Sequence, residues 1–160
     1  MDSRKIADVL ESEYPDPALH LESPYQARIE ALVGKLLGQI MPIFVPLVPK
    51  VFLNPASQKY YVPSRETSLG MALDEYHKGA DQALDQARPT IKQIGDMLDE
   101  NASGPYLQGQ EPCYADFIVV SWIRMMDGLG WAETFLACDG GQQIKRLYEA
   151  SAKWLERDSY

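Results

Sequence analysis

The chain has little of what most enzymes and nucleic-acid binders use. It carries two cysteines and two histidines in 160 residues. Cys113 and Cys138 form no CxxC pair, which excludes a disulfide framework and a zinc knuckle, so no metal site is expected. Lys and Arg number 15 against 23 Asp and Glu, a net charge of -8 that argues against nucleic acid, whose partners need a clustered basic face. Long apolar runs are missing too. The longest uncharged stretch runs from Leu36 to Pro49, between Lys35 and Lys50, and holds Pro42, Pro46 and Pro49. It is too short to span a bilayer, so no membrane partner is expected. Met1-Asp2-Ser3-Arg4-Lys5 leads into an amphipathic turn and not into the apolar segment of a secretory signal. A cytoplasmic location follows as the expectation, and a pair of thiols without a framework suits a reducing compartment.

Catalytic templates are absent as well. The sequence has no GxSxG, Walker A, HExxH or EF-hand loop, and no GxGxxG after a strand. His20 and His77 have no evident acid or thiol partner and read as solvated side chains. Asp74-Glu75 and Asp99-Glu100 are adjacent pairs, so their carboxylates point to different faces of a helix.

What is present is helical periodicity, on a composition of 46% hydrophobic and 24% charged residues that suits one globular domain. Residues 3 to 12 read as a short helix with Ile6, Val9 and Leu10 on one side, stopped by Tyr14-Pro15-Asp16-Pro17. Ser23-Pro24 is a start signal, a hydroxyl at N-cap and a proline at the first helical position. Ile29, Leu32, Val33, Leu36, Ile40 and Met41 follow at three- and four-residue steps. Pro42, Pro46 and Pro49 must kink or segment that helix, and Asn54-Pro55 ends it. A second stretch is expected from about Ser64 to Gly79. A third carries Ala80, Leu84, Ala87, Ile91, Ile94 and Leu98, with a bend near Pro89. The segment from Tyr114 to about Leu129 is apolar on nearly every side, which predicts a buried central helix. Asp139-Gly140-Gly141 precedes a last amphipathic helix through Leu155. With no convincing strand, the fold class is all-α, a helical bundle around one buried helix.

Cys113 stands at the N-cap of that central helix. Either the helix dipole favours its thiolate, or it is a structural variant of the cap. Around it, Tyr106-Leu107-x-Gly109-x-x-Pro112-x-x-Ala115-Asp116-Phe117 resembles the fingerprint of glutathione-transferase C-terminal domains. There a hydroxyl caps the central helix and an Asp three residues on completes the capping box, with a hydrophobic staple beside it. Cys113 replaces the hydroxyl here, so Asp116 is expected to supply more of the cap. Tyr60-Tyr61-x-x-x-Arg65-Glu66-x-x-x-Gly70-x-x-Leu73 is similar to a mark of the fungus-specific, etherase-related class.

The resemblance implies more than the spacing shows. It divides the chain into a last helix of a thioredoxin-like domain (1-13), a linker (14-22) and the helical C-terminal domain (23-160). In the family, an acidic residue followed by Ser at the start of that last helix grips the γ-glutamyl end of glutathione. Asp2 and Ser3 are the matching residues, and Ser3 reads equally as an ordinary N-cap. The helical half supplies the wall for a hydrophobic aromatic substrate. Met41, Phe44, Val45, Val48 and Phe52 are the candidates, and the same stripe is compatible with plain core. The implied protein is a glutathione transferase-like homodimer with glutathione as co-substrate, lacking here most of the glutathione-binding half. The alternative is a non-catalytic binding or dimerisation module of the same fold.

Overall fold

A computed structural model describes residues 3–156. They form α1 (Ser3–Glu13), α2 (Gln26–Gln39), α3 (Met41–Val51), α4 (Pro55–Leu69), α5 (Leu73–His77), α6 (Ala80–Leu98), α7 (Tyr114–Gly128), α8 (Ala132–Leu136) and α9 (Gly141–Ala150). A 3₁₀ turn at Ala152–Trp154 follows. Among the described residues β-structure is limited to an isolated antiparallel bridge between Tyr106 and Gly109.

The core lies where α2, α6 and α7 meet. The stripe read from the sequence of α6 is buried in full: Ala80, Leu84, Ala87, Ile91, Ile94 and Leu98 all face inward. α6 packs on α2 and α9, while α7 packs on α2, α8 and α9. Ile29, Leu36, Ile91, Ile94, Ile123 and Met126 lose all solvent contact in one cluster. Burying side chains of this size contributes about 1.5–3 kcal/mol each, an upper figure because the unfolded chain is partly collapsed. α7 is the central helix that the sequence predicts. Its open strip is narrow: Ser121, Asp127 and Gly128 are exposed. Arg124 is on that strip, partly exposed, and ion-pairs with Asp127 at 3.2 Å.

Helix boundaries differ from the sequence reading in α2, α4, α5 and the last helix, each for a local reason. α2 begins at Gln26, not at Pro24, because the Ser23 hydroxyl accepts the Tyr25 N–H (3.3 Å) in a preceding turn. The helix expected from Ser64 to Gly79 starts at Pro55 and breaks at Gly70. Asn54-Pro55 both ends α3 and opens α4, since Asn54 accepts the Ser57 N–H at 2.9 Å as N-cap. Gly70, at φ +70, ends α4 in the left-handed region that glycine enters at least cost. The last helix stops at Ala150 and not at Leu155, where the Ser151 hydroxyl donates back to the Leu147 carbonyl (2.8 Å). α8 lies in a stretch not read as helix.

One close approach seals α6 to the turn before α9. A Cβ on Gly95 would fall 2.4 Å from the Gly140 Cα, and Gly140 itself sits at φ +86. Both positions need glycine for backbone contact.

Candidate functional site

The α3–α5 corner is shaped by its prolines. α2 bends by 78° into α3. In a helix the N–H of residue i bonds the carbonyl of residue i−4, so an internal proline leaves that carbonyl without its donor. Pro46 and Pro49 lie inside α3 and therefore orphan the carbonyls of Pro42 and Val45. Both are met by side chains from the next two helices. His77 Nδ1 lies 3.0 Å from the Pro42 carbonyl, which fixes the proton on that nitrogen. The Tyr61 hydroxyl donates to the Val45 carbonyl at 3.3 Å. His77 is thus half-buried and partnered, which corrects its reading as a solvated side chain. The Tyr61…Arg65-Glu66…Gly70…Leu73 pattern joins α4 to α3 and α5. Arg65 lies over the Tyr61 ring at 5.1 Å, and Glu66 accepts the Leu73 N–H at 3.0 Å across the Gly70 turn.

The wall candidates spread along α3. Val45 is buried, Met41, Phe44 and Val48 are half-buried, and Phe44 packs against the core. Phe52 is 50% exposed, with its ring so close to α7 that a Cβ on Gly128 would meet Phe52 Cζ at 2.8 Å. Asp2 lies outside the described residues, and Ser3 is the first described residue of α1.

A long groove runs between α2 and α7. At its α1 end a cavity of about 370 Å³ is bounded by Arg4, Glu30 and Tyr114. Toward the other end one of about 240 Å³ is bounded by Ser121, Trp122 and Met125. Val33, Leu37 and Ile118 line both, so the two cavities adjoin over shared apolar residues. Arg4 ties α1 to its mouth through the Leu21 carbonyl (3.2 Å) and Glu30 (3.6 Å). Beside it, α1 leaves Ile6, Val9 and Leu10 about half exposed and buries only the smaller Ala7. Glu11 holds the following chain by accepting the Leu19 (2.8 Å) and His20 (3.2 Å) N–H groups. The Leu19 carbonyl in turn accepts the Tyr114 N–H at 2.7 Å.

At the start of α7 the capping box is closed. Asp116 is fully buried and accepts the Cys113 N–H (2.8 Å), the Leu107 N–H (2.9 Å) and the Cys113 thiol (3.2 Å). One carboxylate therefore anchors both the helix N-terminus and the loop before it, the larger share expected of it opposite a weak sulfur acceptor. Burial raises the Asp116 carboxyl above the usual range, opposed by these hydrogen bonds. Burial, reinforced by the Asp116 charge, pushes the Cys113 thiol from 9.0 up to about 11. Desolvation outweighs the helix dipole, so of the two readings Cys113 takes the structural one, a protonated thiol in the cap. Phe117 meets Trp154 edge-on at 5.1 Å.

Glu11 escaped the sequence reading, and so did the contacts that Tyr61, Glu66 and His77 make. Pro46 and Pro49 announce orphaned carbonyls, but nothing local names the side chains that reach them. Among the described residues no cluster of three or more His, Cys, Asp or Glu is placed to hold a metal, and no single helix is long and apolar enough to cross a membrane.

Comparison with known proteins agrees with this architecture. Residues 25–154 match the family described as glutathione S-transferase, C-terminal domain. The glutathione S-transferase-like protein ustS of Aspergillus flavus is 30% identical over 98% of this chain, which spans 61% of that relative. The crystal structure of a glutathione transferase, GSTFuA3, from Phanerochaete chrysosporium superposes with a TM-score of 0.74 and 29% identity, over 94% of this chain and 64% of that one. A glutathione S-transferase of Ceriporiopsis subvermispora, crystallised with glutathione, shares the fold at a TM-score of 0.76 and 24% identity, over 95% and 65%. The chain thus spans less than two thirds of the length of these relatives. With the capped central helix in place and the family profile covering α2 through the 3₁₀ turn, this chain belongs to the glutathione S-transferase family through its C-terminal helical domain.

Proposed function

We propose that this chain is the helical half of a glutathione transferase-like protein of the fungus-specific, etherase-related kind, acting on or binding hydrophobic aromatic compounds. The observation that carries the reading is the apolar seat formed by Ile6, Val9 and Leu10 beside the α2–α7 groove. A thioredoxin-like half laid there covers an apolar surface that is otherwise wet. In that arrangement Ser3, which opens α1, grips the γ-glutamyl end of glutathione together with Asp2, and a helix N-terminus is a natural anion seat. Met41, Phe44, Val45, Val48 and Phe52 form the aromatic-substrate wall, with Phe52 the ring most open to a ligand. Thiolate activation belongs to the thioredoxin-like half. The protein works as a cytoplasmic homodimer in the detoxification of aromatic electrophiles.

Isothermal titration of these 160 residues with glutathione gives no measurable heat, and a micromolar affinity refutes the division of labour. Joined to a thioredoxin-like half, the chain supports glutathione-dependent conjugation of an aromatic electrophile. Phe52→Ala then raises KM several-fold with little change in kcat.

A second reading, a non-catalytic dimerisation module, is favoured by the same exposed face of α1, which promotes self-association. A joined protein that sediments as a dimer and binds ligands without turnover identifies this module.

A further inference from the structure

We infer that the half-open cavity bounded by α3, α4 and α5 is a binding site for a small ligand with an apolar ring and a primary ammonium group. It lies across α3 from the aromatic-wall stripe, and the inference does not rest on the glutathione reading.

The cavity holds about 260 Å³, with a floor of Pro46, Pro49, Val62 and Leu73. That is room for one ring. Its polar rim is Lys50, Gln58, Glu66 and Asp74. Lys50 is spent on Asp74 at 2.7 Å, and the Gln58 amide donates to the Leu53 carbonyl at 2.9 Å. Glu66 gives one oxygen to the Leu73 N–H at 3.0 Å, and among the described residues no donor meets its other oxygen. The rim therefore carries two carboxylates against one ammonium, and the open acceptor is charged. An anion is repelled there. A neutral ring gains only the floor. An ammonium on a short apolar body gains the floor and a charge-assisted hydrogen bond to Glu66. The net charge of -8 adds a weak long-range attraction of the same sign.

The cavity also has a movable wall. α4 contributes Gln58, Val62 and Glu66 but buries no side chain fully. It is held by the Tyr61 and Glu66 hydrogen bonds and by the turns at Asn54 and Gly70, so it adjusts to an occupant without disturbing the core.

The test is amide NMR of the ¹⁵N-labelled chain titrated with benzylammonium, benzyl alcohol and benzoate. Benzylammonium should shift the amides of Val62, Glu66, Leu73 and Asp74 with millimolar affinity, the range a single ring reaches. Benzoate should bind at least about tenfold more weakly, and added salt should weaken benzylammonium alone. Glu66→Gln keeps an amide oxygen for the Leu73 N–H. It should cost benzylammonium about fivefold and leave benzyl alcohol unchanged. Lys50→Gln, at an exposed pair whose loss leaves the fold intact, should tighten benzylammonium. The site is overturned if those four amides do not respond, if the responses map instead to Val33, Leu37 and Ile118, or if benzoate binds as well as benzylammonium. Equal losses for both neutral and charged ligands in Glu66→Gln overturn it too.

Discussion

The α2–α6–α7 core and the α3–α5 corner are stabilised by opposite means. α6 buries ten residues and α7 seven, and their stability comes from apolar area removed from water. α4 buries none, and its neighbour α3 is interrupted by Pro46 and Pro49. That corner is held by side chains answering backbone groups: Tyr61 to the Val45 carbonyl, His77 to the Pro42 carbonyl, Glu66 to the Leu73 N–H. The difference teaches that prolines in a helix create partners as well as kinks, because each orphaned carbonyl rewards a donor from a neighbouring helix.

Mutations break or sharpen this contrast. The largest effect belongs to the core. Ile94→Ala, at a site with no solvent contact, should destabilise by about 2–5 kcal/mol in chemical denaturation, since it loses transfer energy and leaves a cavity. Next is Asp116→Ala, which strands two buried N–H groups and should cost about 3 kcal/mol, with the loss read from the shift in midpoint. An unchanged Tm means that the capping box contributes nothing.

The third effect is a pH dependence. Cys113 keeps its proton in the folded chain up to about 11, against 9.0 ordinarily. The folded state binds more protons than the unfolded state in that window, so stability is intact below pH 9.0 and falls as pH rises toward about 11. The loss approaches about 1.4 kcal/mol per pH unit. Cys113→Ser should reduce this slope while retaining the cap, leaving what Cys138 and Tyr106, both also raised by burial, contribute; an unchanged slope assigns it to those groups.

The smallest effect lies in the corner. Tyr61→Phe removes one long hydrogen bond to the Val45 carbonyl, part of which water replaces, and should cost about 0.5–1 kcal/mol. Its signature is local. Hydrogen exchange in α4 should quicken while that in α6 stays unchanged. If Tyr61→Phe proves as costly as Ile94→Ala, the contrast between the two regions fails.

Legibility in the sequence followed the same division. The α6 stripe and the central α7 were readable because burial imposes a helical period on the apolar residues. The capping box was readable because Cys113 and Asp116 stand where the resemblance to glutathione-transferase C-terminal domains implies a cap and its partner. The corner was misread from Ser64 onward because Asn54-Pro55 signals an end and a beginning alike, and only the Asn54 to Ser57 hydrogen bond decides between them. His77 looked idle because its partner, the Pro42 carbonyl, is 35 positions away.

By itself the sequence determined the all-helical class, the core stripe and the capped central helix, since each depends on spacing within one turn or one helix. Tertiary structure alone decided that Cys113 is an inert thiol, that Asp116 also anchors Leu107, and that Tyr61 and His77 complete α3. Those outcomes depend on desolvation and on hydrogen bonds between groups distant in the chain, and neither leaves a period in the sequence.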